Sequence, residues 1–128
     1  MRVFPGPRFS AMKKLERNEF LKSKPFRNPA LRWEEKEGRV RILLPPLERK
    51  KKIIRRLMGI PEKKAFYLDE VGSEVWKRCD GKSQVLDIVR FLKERYNLSR
   101  KEAEVSTLEY IVRLWRRGLI ELRGGNNG

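Results

Sequence analysis

The chain has 128 residues, with 32 Lys and Arg against 17 Asp and Glu, a formal net charge of +15, one Cys and no His. That length sets one small domain as the expectation, with room for an extra arm. The lone Cys79 forms no intramolecular disulfide, and without His there is no ligand set for zinc, haem or an iron–sulfur cluster. Ser-His-Asp and Cys-His mechanisms fall on the same inventory, so a binding module is favoured over an enzyme, and no metal or cofactor is expected.

The charge is unevenly placed. Residues 1–64 hold 20 basic and 7 acidic side chains, whereas residues 65–128 hold 12 and 10. Such asymmetry points to an arm or patch aimed at an anionic partner, against the plainer reading of a solvated surface. Residues 1–29 read as a basic, loosely ordered arm, because Pro5, Gly6, Pro7, Pro25 and Pro29 interrupt any long element. Within it, residues 11–22 match a short basic helix with Leu15, Phe20 and Leu21 as its apolar contacts. Met12 would serve as well as Met1 as a start. No hydrophobic run follows the first charges, so neither a secretory signal nor a membrane span is expected, and a cytoplasmic protein is.

The folded domain is expected over residues 30–123, with 124–128 as a flexible tail. Ala30 to Glu34 and Arg39 to Leu44 alternate apolar and polar around Glu37-Gly38, which reads as a hairpin with Val40, Ile42 and Leu44 facing inward. Pro45-Pro46 ends it. A basic insert, 45–63, then carries a short helix from Leu47 to Met58, closed by Gly59 and Pro61. Ile53, Ile54, Leu57 and Met58 make a narrow stripe, and Lys50, Lys51, Lys52, Arg55 and Arg56 cover the rest. The stripe is short for membrane binding, so packing on the domain with the charges in water is the weightier reading.

Lys64 to Leu68 is the third strand. Asp69 caps a helix through Arg78, in which Val71, Val75 and Cys79 share a face with Trp76 beside them, and Asp80-Gly81 stops it. Ser83 is placed to cap the next helix, whose apolar positions are Val85, Ile88, Val89, Leu92 and Tyr96. Ser99 and Glu102 match a capping box for the last helix, with Leu108, Ile111, Val112 and Trp115 at helical spacing and Gly118 at its end. Leu119 to Leu122 is a brief extended return. The fold class is α+β and winged-helix-like, a small three-stranded antiparallel sheet followed by a three-helix bundle.

Three short helices with tight turns also fit a helix-turn-helix nucleic-acid-binding regulator using the basic N-terminal half. Against it, the would-be recognition helix carries Glu102, Glu104 and Glu109, which repel phosphates. That alternative therefore reduces to salt-sensitive, non-specific binding.

Leu68-Asp69-Glu70-Val71-Gly72, Trp76 and Cys79-Asp80-Gly81-Lys82-Ser83 together resemble the signature stretch of PqqD-like proteins. Val85 to Val89 and Arg117-Gly118-Leu119-Ile120 continue the resemblance in order. It implies a non-catalytic peptide modification chaperone of cofactor or natural-product biosynthesis, a precursor peptide (RiPP) recognition element. Such a module binds the leader segment of a ribosomally made precursor and presents it to a separate modifying enzyme, commonly a radical S-adenosylmethionine (SAM) enzyme. The leader adds as a strand to the third strand's edge, beside a groove shared with the last helix. By position that implies Lys64, Ala65, Phe66, Tyr67 and Leu68 as the edge and Glu104, Thr107, Leu108 and Ile111 as the groove wall. Helical periodicity alone reads Leu108 and Ile111 as core. Lys50, Lys51, Lys52, Arg55 and Arg56 form a basic patch suited to an acidic leader, an acidic enzyme or an anionic lipid surface. The same open edge is available to a second copy of the chain, which would give a homodimer.

Overall fold

A computed structural model describes residues 14–124. In chain order the elements are α1 (Lys14–Lys22), β1 (Lys24–Arg27), β2 (Arg32–Lys36), β3 (Arg39–Leu43), α2 (Arg49–Leu57), β4 (Ala65–Tyr67), α3 (Glu70–Lys77), α4 (Val85–Arg95), α5 (Arg100–Arg116) and β5 (Ile120–Arg123). The architecture is the α+β class expected, with a small antiparallel sheet, β2-β3-β4, packed with α3, α4 and α5. Glu37 and Gly38 both take positive φ, 54° and 78°, the two-residue turn that matches the twist of a hairpin. Trp33 therefore sits opposite Ile42, and Ile42 opposite Phe66, which sends Val40, Ile42, Phe66 and Leu68 into the core.

The helices follow their caps. Asp69 accepts from the Gly72 amide at 2.7 Å, and Ser99 and Glu102 close the expected capping box on α5. α4 departs by one residue: Gln84, not Ser83, is the cap, paired with Asp87, because Asp80 already holds the Ser83 amide. Cys79 is fully buried in the core, where burial pushes its thiol up to about 12. It is a small core residue.

Two expectations are overturned. The loosely ordered arm is, from Lys14 onward, part of the domain. Phe20 is 1% exposed, 6.1 Å from the Trp115 ring, and Leu21 and Ser23 are buried with it. β1 pairs antiparallel with β5, Lys24 opposite Arg123 and Arg27 opposite Ile120. Pro25 does not prevent this, since a proline is tolerated in a two-stranded edge and its carbonyl still accepts from the Gly81 amide at 2.8 Å. Arg27 then donates to the Trp76 and Lys77 carbonyls, pinning the strand to the end of α3. Met12, Leu15's packing and residues 125–128 lie outside the described residues or side chains. The second correction concerns α2, which buries none of its residues. Its cationic face, not its apolar one, lines a depression with residues 59–62 and Lys64.

Candidate peptide-binding edge

β4 closes one side of its sheet, and hydrogen-bond parity fixes what it offers. The Leu44 amide donates to the Lys64 carbonyl and the Leu68 amide to the Val40 carbonyl, both at 2.9 Å. Bonded and non-bonded positions alternate in an antiparallel ladder. Lys64, Phe66 and Leu68 therefore bond to β3, and Ala65 and Tyr67 turn their main-chain N–H and C=O outward. Among the described residues no other segment bonds to those outward groups. Phe66 and Leu68 are core side chains, whereas Tyr67 is 70% exposed and Lys64 is exposed. Ala65, on the outer side by alternation, is nonetheless covered.

The flank of α5 nearest β4 and α3 is marked by its contacts. Tyr110 Oη donates to both Asp69 carboxylate oxygens, at 2.8 and 2.6 Å. The Arg117 guanidinium lies 4.7 Å over the Phe66 ring, with Lys63 Nζ 4.8 Å from the same ring. Arg113 stacks 5.5 Å over Tyr110. Burial, and then the bond to the Asp69 carboxylate, pushes the Tyr110 phenol up to about 12, so it stays a donor at neutral pH. The latch is possible because residue 72 has no side chain: a Cβ there would sit 2.8 Å from Tyr110 Cε1. Gly72→Ala is therefore expected to cost about 1–2 kcal/mol where a helical Gly-to-Ala change ordinarily stabilises. Urea unfolding of the two proteins checks the sign.

The structure places the expected groove-wall residues mostly in the interior or against α1. Thr107 and Ile111 are fully buried, and Thr107 Oγ1 donates to the Ala103 carbonyl at 2.7 Å. Glu104 is buried against α1, ion-paired with Arg17. Leu108 is half-buried and lines a shallow outer depression with Val105, Val112 and Arg116. At 100° per residue, α5 turns Glu104 and Trp115 toward α1, and Tyr110, Arg113 and Arg117 toward the sheet side. The i, i+3, i+7 spacing of those three was the signal available, together with the glycine at 72.

The basic patch is split in the same way. Lys52, Arg55 and Arg56 line a depression of about 420 Å³ with Leu47, Ile60, Pro61, Glu62 and Lys64, at the start of β4. There Arg55 donates to the Pro61 carbonyl at 3.0 Å, and Lys52 lies 3.8 Å from Glu62. Lys50 and Lys51 are exposed elsewhere on the helix. Among the described residues no cluster of His, Cys, Asp and Glu is placed to hold a metal, and no helix is long and apolar enough to cross a membrane.

A solved structure, TbiB1 in complex with the TbiA(beta) leader peptide, is similar to this chain with a TM-score of 0.55 and 19% identity, over 74% of this chain and 93% of that one. At that identity the likeness shows a common fold. No curated protein matches the sequence. The family model described as coenzyme PQQ synthesis protein D (PqqD) matches residues 55–120, from within α2 through α5 to the first residue of β5. That is more than half of the chain, and it contains the edge strand, the Asp69–Tyr110 latch and the core helices: the chain belongs to the PqqD family.

Proposed function

We propose that this protein is a non-catalytic peptide-binding chaperone. It captures an extended segment of a ribosomally made precursor peptide as an added strand on β4 and presents it to a separate modifying enzyme, of the radical SAM class that the family resemblance implies. The observation that carries this is the unpaired main chain of Ala65 and Tyr67 on an edge strand. Main-chain bonds there supply affinity, and side chains along the groove supply selectivity. Tyr67 and Lys64 border that edge on the strand side, with Tyr110, Arg113 and Arg117 across from it on α5. Family membership and the shared fold with a leader-peptide complex support the reading.

The non-catalytic part rests on chemistry. The one thiol is buried and held protonated, and the Tyr110 phenol is committed to Asp69. Neither comparison is with a nucleic-acid-binding protein, and Glu104, counted among the repelling carboxylates of a recognition helix, is turned inward on Arg17.

Labelled peptides encoded by short reading frames beside the gene provide the test, read by fluorescence anisotropy. At least one is expected to bind saturably at moderate salt. If all fail while duplex DNA binds tightly under the same conditions, the peptide reading is wrong.

A further inference from the structure

The helix α2 is turned the wrong way round for a solvated surface helix. Lys52, Arg55 and Arg56 face residues 59–62 and Lys64 across the depression at the start of β4. A rotation of 100° per residue then directs Ile53, Ile54, Leu57 and Met58 to the opposite side of the helix, away from that depression. They are 50%, 54%, 81% and 67% exposed. The helix is nevertheless well formed. Gly59 takes φ +70°, and the Ile60 amide returns to the Arg55 carbonyl at 2.8 Å, a closed C-terminal cap. An apolar face held outward on a preformed helix is a surface built to be covered.

We propose that this face docks on an anionic lipid bilayer surface, with the helix lying in the headgroup plane. Charge decides among the occupants. Residues 49–58 carry six Lys and Arg and no Asp or Glu. A second copy of α2 would bring two such cationic segments face to face. The chain's own residues 1–13 hold Arg2, Arg8 and Lys13 and no acidic residue, so they offer α2 no complement either. A protein groove is disfavoured by Lys50, which falls in the middle of the apolar arc and would need a matched carboxylate when enclosed. At a bilayer its long stem lies along the acyl boundary while the ammonium reaches the headgroups. Cations on both flanks of the arc meet a flat anionic layer without any register being required. With so few apolar residues the contact is reversible, and it depends on the surface charge. It is independent of the peptide reading, since the lipid face and the β4 edge use different residues.

Cosedimentation with vesicles tests it, using phosphatidylcholine alone against phosphatidylcholine mixed with phosphatidylglycerol. The mixed vesicles are expected to bind at least about 10-fold more protein at low salt, and to release it at high salt. Ile54→Ser/Leu57→Ser, which leaves the net charge unaltered, is expected to reduce that binding by about 10-fold or more. A second measurement uses Leu57→Cys labelled with an environment-sensitive dye, which is selective because Cys79 is fully buried. The label's emission should shift to the blue on the mixed vesicles. Equal retention on both vesicle types, retention unchanged by the double serine variant, or a label that stays water-like on protein-carrying vesicles would each overturn the proposal. So would a dimer in sedimentation velocity that the double variant dissolves.

Discussion

Tyr67→Pro is expected to abolish most peptide capture while leaving the domain folded. The Tyr67 amide points away from β3, so no internal bond depends on it, whereas an added strand would use it. Proline removes that donor and sets its ring against the incoming strand. Edge strands tolerate proline where the N–H faces outward. Losing one edge hydrogen bond and the close approach should cost about 1–2 kcal/mol of binding, roughly 5- to 30-fold in affinity. Tyr67→Ala keeps the amide and separates this effect from loss of the exposed ring. Anisotropy titrations of the bound peptide give the affinities, and urea unfolding gives the stabilities. Retained affinity in Tyr67→Pro, with normal stability, would move the binding site off β4.

Phe20→Ala should destabilise the domain by about 3–5 kcal/mol, a large share of the stability of a protein this size. The ring is 1% exposed and rests against Trp115, with Leu21 and Ser23 buried beside it. Removing it leaves a cavity between α1 and α5 and loosens the hold on β1. Chemical denaturation measures the loss, and the emission of Trp115 should shift to the red as its cover is removed. A loosely ordered arm would give no change in either, so the experiment decides whether residues before 30 belong to the fold.

Much of the core was legible because its signals are local. The two-residue turn at Glu37-Gly38 set the hairpin, and helical spacing found α4 and α5 with the caps at Asp69 and Ser99. Alternation separates Phe66 and Leu68 from Ala65 and Tyr67, but that the first pair is core is decided only by what packs on the sheet. The β1–β5 pair was not legible. Four residues containing Pro25 show no period, and their partner lies at the other end of the chain. The placement of the groove-wall residues was not legible for a related reason. Periodicity says which residues of α5 are apolar, but only the docking of α1, through Arg17 and Phe20, decides which flank is left for the sheet. The stripe on α2 was visible too, though nothing local states whether it faces toward the domain or away.

The β1–β5 clasp has a consequence for the order of events during synthesis. Lys24 to Arg27 have no strand partner until Ile120 to Arg123 are made, roughly 100 residues later, so this pairing carries the longest loop closure in the fold. The β2-β3-β4 sheet, by contrast, is complete in the nascent chain by Tyr67. A ribosome therefore releases the open β4 edge long before β1 can pair with β5, and closing that clasp comes last in the fold.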